Sequence, residues 1–196
     1  MSTRRRFQDS WGKKARREGY AARSVYKLEE IDKRARLFRR GARVLDLGAF
    51  PGSWTAYAAQ KVAPEGKVIG LDITAPRGAV PPNAEMRHQD VMEEAWLDEF
   101  GPNSFEVVMS DMAPATIGHR FTDQARSHAL FMRALEIAGR LVVTKGHFVG
   151  KIFQGEDFEV ARAAVGELFE ETRVVKPPAT RSESYEVFLV GLRRRA

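Results

Sequence analysis

Short apolar strands alternate with amphipathic helices along most of the chain, and this alternation limits the possible folds more than any other feature. It predicts an α/β fold with a mostly parallel sheet covered on both faces. Two final strands without a helix between them predict an antiparallel hairpin at the sheet edge. The predicted helices span 22–38, 53–63, 91–100, 122–143 and 157–171, and the predicted strands span 43–48, 67–73, 84–90, 104–111, 147–155, 172–177 and 185–193.

Length and composition restrict the setting in which such a fold works. The 196 residues are enough for one domain. Cysteine is absent, which removes disulfides, thiolate metal sites and cysteine nucleophiles. The chain has no apolar run of about 18 residues, so we expect no membrane span. The basic start lacks an apolar region typical of a secretory signal. We therefore expect a cytoplasmic protein, with a monomer as the simplest state.

Positive charge is concentrated at the start of the chain. Residues 1–40 carry 14 Lys or Arg against five Asp or Glu. We predict a basic arm at 1–20, flexible except for a short helical turn, and a single domain at 21–196. Clustered cations favour a polyanionic partner, usually nucleic acid, although a solubilising tail is the alternative. Trp11 and Tyr20 in this region either stack on an unpaired base or pack onto the domain.

Acidic residues and glycines stand where the first three strands end. In open parallel sheets, ligands bind outside the carboxyl ends of the strands. Gly48 and Gly52 follow the first strand in a spacing that matches neither the dinucleotide fingerprint nor a P-loop. Asp72 can accept ribose hydroxyls and Asp90 can meet an adenine edge, although each alone is more often a cap or turn residue. Together they predict a nucleoside pocket without a pyrophosphate clamp, which fits S-adenosyl-L-methionine.

The end of the fourth strand restricts the methyl acceptor. Asp111 would lie near the transferable methyl group. The following Met112-Ala113-Pro114 has no aromatic residue to grip a planar base, which disfavours methylation of base amino groups. The cysteine route to base carbon is excluded because the chain has no cysteine. These observations favour a hydroxyl acceptor.

Three further polar residues are candidates for the chemistry. Lys151 lies within an apolar strand, where a lysine is unusual, and is either a buried base or a lysine whose amine reaches water at the edge. Lys27 and Glu186 flank apolar stripes, and each alone would be read as a surface residue. The histidines lack metal-ligand spacing, so we expect no metal site; they are His88, His119, His128 and His147.

Five motifs in order resemble one enzyme family over about residues 11–193. They are ARSVYKL, LDLGAFPGSW, MSDMAP, GKIFQG and TRSESYEVF. This ordered set resembles the FtsJ-type ribosomal RNA 2′-O-methyltransferases. The resemblance implies a Rossmann-like class I S-adenosylmethionine-dependent methyltransferase fold, with a seven-stranded, mostly parallel sheet and an antiparallel edge hairpin.

The resemblance also implies roles for particular residues. The family's catalytic set falls on Lys27, Asp111, Lys151 and Glu186, with Lys151 accepting the proton of a ribose 2′-hydroxyl. Its cofactor contacts fall on Gly52, Trp54, Asp72, Asp90 and Asp111. This chain differs from the family pattern at three positions, where it has Ser53 for glycine, Tyr185 for arginine and Phe188 for tyrosine.

The function so implied is 2′-O-methylation of a ribose, taken as a uridine, in large-subunit ribosomal RNA. The cofactor would be S-adenosyl-L-methionine, and the partner ribosomal RNA or the large subunit. Two alternatives stay open from the sequence. One is the same reaction on a tRNA or a cap-proximal ribose. The other is a non-catalytic RNA-binding factor for ribosome assembly on the same fold.

Overall fold

A seven-stranded sheet forms the centre of the protein. A computed structural model describes residues 3–180 and 184–196, with side chains from residue 10 onward, apart from 181–183. The helices are α1 (Thr3–Arg17), α2 (Val25–Ala35), α3 (Ser53–Val62), α4 (Arg120–Leu141) and α5 (Phe158–Leu168). The strands are β1 (Arg43–Leu47), β2 (Lys67–Asp72), β3 (Ala84–His88), β4 (Phe105–Ser110), β5 (Val142–Phe153), β6 (Phe169–Val175) and β7 (Glu186–Arg194).

The strand order confirms the predicted sheet. It is β3-β2-β1-β4-β5-β7-β6, so the chain reverses direction across the sheet after β3. The first five strands pair in parallel, and β7 runs antiparallel to both β5 and β6. Because β7 is antiparallel, its first residue lies at the end of the sheet where the parallel strands have their carboxyl ends. Residues from β1, β2, β4, β5 and β7 therefore lie close together at this end of the sheet.

Helices cover both faces of this sheet. The face of α2 and α3 packs around Leu28, Ile31 and Trp54 against strand residues such as Phe188. The opposite face packs α4 and α5 against Phe148 and its neighbours. Apolar side chains on both faces explain why the central strands read as continuous apolar runs.

The predicted helix at 91–100 is wrong. Only a short 3₁₀ helix forms there, over Ala95–Glu99. The Arg133 guanidinium of α4 donates hydrogen bonds to the carbonyl oxygens of Val91 and Glu93, each at 2.9 Å. An α-helix would use those carbonyls for its own amides four residues on. The tertiary contact therefore replaces the helical one.

The amino-terminal segment is more ordered than predicted. α1 is a helix of 15 residues, where a flexible arm with one short turn was expected. Ala15 is buried, and the Trp11 ring lies 4.8 Å from that of Tyr26 in α2. Tyr20 donates its hydroxyl hydrogen to Gln60 Oε1 at 3.0 Å. Both aromatic residues thus pack onto the domain. The domain boundary at residue 20 stays a prediction.

The start of the fifth strand also differs from that predicted. β5 begins at Val142, five residues before the predicted start, and continues directly from α4. Its register with β4 is irregular between Phe105 and Val107, so the polar stretch 144–147 is accommodated within the strand.

In the described part of the chain, α4 is the longest helix, and no helix there is long and apolar enough to cross a membrane.

Candidate active site

An open cleft of about 480 Å³ lies at the carboxyl ends of β1, β2, β3 and β4. Asp72, Asp90 and Asp111, all predicted cofactor contacts, line it. The remaining lining residues are Gly48, Phe50, Leu71, Ile73, Thr74, Gln89, Val91, Met92, Met112, Ala113 and Leu130. The topology therefore brings together three carboxylates that the sequence separates.

The charge of this cleft restricts what it can hold. Its described lining contains three carboxylates and no lysine or arginine. Carboxylates accept hydrogen bonds from hydroxyls and ammonium groups and repel phosphates. A hydroxylated ligand that carries positive charge and no phosphate fits these acceptors.

Asp72 is held in place by the main chain. One carboxylate oxygen, Oδ2, accepts from the Phe50 amide at 2.9 Å, and the other, Oδ1, accepts from the Thr74 amide at 2.7 Å. A carboxylate has about four lone-pair sites, so each oxygen keeps capacity for a ligand hydroxyl. Asp90 similarly accepts from the Met92 amide at 2.9 Å. The main chain thus orients both side chains toward the cleft.

Gly48 allows the main chain to form the floor of the cleft. Its φ is +77°, and a Cβ there would lie 2.6 Å from Met112 Cγ. Any side chain at this position would therefore displace the loop after β4. Glycine alone combines this φ with such a close approach.

Gly52 and Trp54 lie outside the described lining of the cleft. Trp54 is 3% exposed, and its indole nitrogen donates to the Ser24 carbonyl at 2.9 Å. Gly52 precedes α3 with a φ of +99°. Their predicted role as cofactor contacts stays a prediction, while their structural role is visible. Trp54 fastens α3 to the turn before α2.

Ser53, which replaces a glycine of the family pattern, has a structural role. Its side chain is 2% exposed, and Oγ accepts from the Ala22 amide at 2.7 Å. This hydrogen bond joins the start of α3 to the segment before α2. The serine hydroxyl is thus engaged by the main chain at Ala22.

Lys151 and Asp111 form a buried ion pair beside the cleft. The Lys151 side chain is 5% exposed, and its Nζ lies 3.0 Å from Asp111 Oδ1. It also donates to the Asp111 carbonyl at 2.5 Å. The register that pairs Ser110 with Gly150 explains this proximity, since Asp111 directly follows Ser110 and Lys151 directly follows Gly150. An edge position with the amine in water, the alternative for Lys151, is therefore wrong.

Lys27 and Glu186 form a second ion pair. Lys27 Nζ lies 2.6 Å from Glu186 Oε1, and the two side chains are 14% and 12% exposed. The Thr180 hydroxyl lies 3.5 Å from the same oxygen. Neither residue is therefore a freely solvated surface group.

Phe188 connects the two pairs. It lies opposite Lys151 in the β5–β7 register, so the two side chains project from the same face. Glu186 precedes it by two residues and shares that face. Lys27 Nζ lies 5.9 Å from the Phe188 ring centroid, and the Trp54 ring lies 5.7 Å away. Lys27, Lys151 and Glu186 thus lie on the side of the sheet that carries Phe188, and Asp111 joins them through its pair with Lys151.

Asp46 is a buried carboxyl to which the sequence assigned no role. It is fully buried, and Thr55 donates its hydroxyl hydrogen to Oδ2 at 2.7 Å. Burial raises the pKa of Asp46 to about 7, the hydrogen bond from Thr55 opposes the rise, and the charges of Asp111 and Asp72 add to it. Its Oδ1 has no hydrogen-bond partner among the described residues. The sequence feature that could have indicated a buried carboxyl is an aspartate within the otherwise apolar strand β1.

Comparison of the whole chain with known proteins identifies its family. The sequence profile of the FtsJ-like methyltransferases matches residues 20–194. The chain belongs to this family. A ribosomal RNA large subunit methyltransferase E from Sorangium cellulosum is 51% identical over 191 residues, covering 96% of this chain and 89% of the relative. A protein of the same name from Oleidesulfovibrio alaskensis is 48% identical, covering 96% and 92%.

Solved structures agree on the fold of this FtsJ-like methyltransferase. The structure of a ribosomal RNA methyltransferase, designated putative, from Plasmodium falciparum gives a TM-score of 0.76 at 21% identity, covering 89% of this chain and 98% of the other. A tRNA (m1A58) methyltransferase from Aquifex aeolicus gives 0.59 at 10% identity, covering 87% and 69%. At such identities the likeness extends to the fold alone, and it confirms the predicted methyltransferase architecture.

Two observations complete the description of the site in this FtsJ-like methyltransferase. Among residues 3–180 and 184–196, no group of three or more His, Cys, Asp or Glu could hold a metal ion. Residues 181–183 of the last family motif lie outside the described residues.

Proposed function

We propose that this protein transfers a methyl group from S-adenosyl-L-methionine to a ribose 2′-hydroxyl, taken as that of a uridine, in large-subunit ribosomal RNA. One observation carries the proposal: Asp111 both lines the carboxylate-rich cleft and pairs with buried Lys151 at 3.0 Å. A single residue thereby connects a ligand cleft to a candidate base. The names of the relatives, ribosomal RNA large subunit methyltransferase E, support the substrate class.

The chemistry of the cleft supports the cofactor. S-adenosyl-L-methionine, when bound, supplies an electrophilic methyl group on a sulfonium. It has two ribose hydroxyls, a positive sulfur and no phosphate. Asp72 would accept from the ribose hydroxyls, Asp90 would face the adenine side, and the main chain at Gly48 allows close approach. A pyrophosphate cofactor would meet three carboxylates and no compensating cation.

Lys151 would accept the proton of the attacking hydroxyl. Lys151 Nζ donates a hydrogen bond to the Asp111 carbonyl and lies 3.0 Å from Asp111 Oδ1, so its amine is held beside the cleft. In the ion pair Lys151 is an ammonium without a lone pair, so it must first release a proton to water. The neutral amine would then accept the proton of the 2′-hydroxyl, and Asp111 would stabilise the ammonium that forms. Positioning of this kind supplies up to about 7–11 kcal/mol of a barrier, and general base catalysis adds about 10²–10⁴-fold.

Lys27 and Glu186 would orient the acceptor. Their 2.6 Å contact holds a cation and an anion next to the face that carries Lys151. The basic α1 would bind RNA phosphates, which makes binding salt-dependent. The proposal makes ribosomal RNA or the large subunit the partner, and a cytoplasmic monomer the working form.

Transfer of labelled methyl groups tests the proposal. The protein is incubated with methyl-labelled S-adenosyl-L-methionine and, separately, large ribosomal subunits, free ribosomal RNA and bulk tRNA, and the labelled nucleoside is identified. A 2′-O-methyluridine from large-subunit material alone is expected. Label in tRNA would keep the chemistry and replace the substrate. Cofactor binding without any transfer would instead indicate the non-catalytic assembly factor.

A further inference from the structure

Another cavity, of about 230 Å³, is lined by residues that lie near the ion-pair residues in the sequence. Its described lining shares no residue with the carboxylate-rich cleft. The residues that line it are Thr116, Gly118, Arg120, Asp123, Gln124, Phe153, Ser184 and Tyr185. It lies beside the ends of β5 and β7, whereas the cleft lies beside the ends of β1 to β4.

The walls of this cavity come from the segments that carry three of the predicted catalytic residues. Tyr185 directly precedes Glu186, and Phe153 follows Lys151 by two residues on β5. Thr116 and Gly118 lie in the loop that begins after Asp111. In the strand order, β4 and β5 are neighbours, so the Lys151–Asp111 pair stands between the cleft and the cavity. In strand order, the cavity therefore lies on the other side of this pair from the cleft.

Arg120 and Tyr185 form a stack at this cavity. The Arg120 guanidinium carbon lies 4.1 Å from the centroid of the Tyr185 ring, and Tyr185 is 47% exposed. A guanidinium stacked on a ring keeps its N–H groups free to point outward at acceptors. The exposed remainder of the Tyr185 ring is open to a second planar group.

The main chain around this stack is held in a fixed arrangement. Asp123 is buried, and its carboxylate accepts from the amides of Ile117 at 3.0 Å and Gly118 at 3.2 Å. The Gln154 amide donates to the Tyr185 carbonyl at 2.8 Å. These hydrogen bonds fasten the loop wall and the Tyr185 wall to α4 and β5. A ligand there would meet a pre-organised surface, which lowers the entropy lost on binding.

The surroundings of the cavity have the chemistry that binds unpaired bases. Phe121, next to Arg120, is 63% exposed, and its ring lies 6.2 Å from that of His119. Exposed aromatic rings beside cations are typical of surfaces on which single-stranded bases stack.

We infer that Tyr185 and Arg120 bind the base of the acceptor nucleotide, and so position its ribose for Lys151. The inference rests on the proposed function, because it takes RNA as the methyl acceptor. The base stacks on the exposed part of the Tyr185 ring, and the Arg120 N–H groups donate to its carbonyl oxygens. With the base held there, its 2′-hydroxyl extends toward the Lys151–Asp111 pair.

An abasic acceptor tests this contact directly. Large-subunit RNA is assembled by splint ligation with either the natural acceptor nucleotide or an abasic ribose at that position. The value of kcat/KM for methyl transfer is measured on both RNAs with wild type, Tyr185→Ala, Tyr185→Phe and Arg120→Ala. Arg162→Ala, on the exposed face of α5, is the matched control for loss of one arginine.

On the natural RNA, Tyr185→Ala should lower kcat/KM by about 10- to 100-fold, the usual effect of losing a stacking partner. Tyr185→Phe should restore most of it, and Arg162→Ala should have no effect. On the abasic RNA, wild type should already be slow, and Tyr185→Ala and Arg120→Ala should cause no further loss. Thermal unfolding and cofactor affinity should be equal in all variants.

Two results would overturn the inference while leaving the proposed function intact. One is an equal loss for Tyr185→Ala on both RNAs, which would assign Tyr185 to the RNA backbone. The other is full activity of Tyr185→Ala and Arg120→Ala on natural RNA. If wild type transfers no methyl group to any RNA, the proposed function fails first, and this inference fails with it.

Discussion

Lys27 Nζ and Glu186 Oε1 lie 2.6 Å apart, although one residue is near the start of the chain and the other near its end. α2 brings the lysine and the first residue of β7 brings the glutamate. Both side chains are less than 15% exposed, so water screens their attraction weakly. Glu186 projects from the same face of the sheet as Lys151, so the pair lies on that face.

This burial predicts that the pair is energetically coupled. In a double-mutant cycle of Lys27→Ala and Glu186→Ala, we expect a coupling free energy of about 0.5–3 kcal/mol in urea unfolding. The exposed pair Arg162–Glu159 serves as a matched comparison and should give about 0–0.5 kcal/mol. Equal coupling in both cycles would contradict the buried environment of Lys27 and Glu186.

Replacement of Lys151 should slow turnover strongly without loss of ligand binding. For Lys151→Ala we expect kcat to fall by about 10²–10⁴-fold, because the proton acceptor is lost. Affinity for S-adenosyl-L-methionine and for RNA, measured by calorimetry and filter binding, should change less than threefold. Lys67→Ala removes an exposed lysine on β2 and should leave kcat unchanged. Methylation by Lys151→Ala at the wild-type rate would exclude Lys151 as the base.

Asp46 should make the stability of the protein depend on pH. Burial raises its pKa to about 7, whereas an unfolded aspartate titrates near 4. The folded chain therefore holds this proton more tightly than the unfolded chain between about pH 4 and pH 7. Across that window the contribution of Asp46 to the free energy of unfolding falls as pH rises, and above it the contribution is constant.

Asp46→Asn isolates this effect, since asparagine keeps the shape and does not titrate. Urea unfolding of both proteins from pH 5 to pH 8 gives the difference in their stability. Wild type should lose stability relative to Asp46→Asn as pH rises, with the difference levelling off above about pH 7. Parallel curves for the two proteins would mean that Asp46 does not carry the raised pKa.

Ser53 should matter for stability and not for cofactor affinity. Its Oγ accepts from the Ala22 amide at 2.7 Å, and Ser53→Ala leaves that amide without its acceptor. We expect a loss of about 1 kcal/mol in the free energy of unfolding. The Kd for S-adenosyl-L-methionine should stay within threefold. A weaker affinity at unchanged stability would instead assign the hydroxyl to the cofactor site.

The exposed cations of α1 should set the salt dependence of RNA binding. Lys13, Arg16 and Arg17 are exposed, whereas Ala15 and Trp11 pack inward. Replacing the three cations by glutamine should reduce the slope of log K against log salt by about 2 for three phosphate contacts. Because the inward residues are kept, thermal unfolding should be unchanged, which deletion of 1–20 would not allow.

A second triple variant controls for net charge. Lys67→Gln, Arg162→Gln and Arg195→Gln remove three exposed cations outside α1. This variant should keep the wild-type salt slope. If both triple variants reduce the slope equally, the protein binds RNA through its net charge, and α1 has no special role.

Much of the architecture followed from local patterns. Strand and helix order, the parallel sheet and the edge hairpin could be read from apolar periodicity, because side-chain burial repeats every two residues in strands and every 3.6 in helices. The acidic residues at strand ends were visible for the same reason. Ends of parallel strands meet at one edge, so Asp72 and Asp111 could be placed near one ligand before any geometry was known.

Local patterns failed where a distant residue supplied the deciding contact. The 91–100 segment reads as a helix, yet Arg133 takes the carbonyls of Val91 and Glu93. α1 reads as a polar arm, yet Trp11 and Ala15 pack against the domain and order the helix. Neither contact is encoded in the neighbouring sequence, so neither was predictable from it.

The sequence by itself determined which residue types are present and which sheet edge they reach. It could not determine their partners, because Lys27, Asp111, Lys151 and Glu186 belong to four different segments. Only the tertiary structure sorted them into a Lys151–Asp111 pair and a Lys27–Glu186 pair around Phe188. Attraction between charges depends on distance and burial, and both are set by how β4, β5, β7 and α2 pack together.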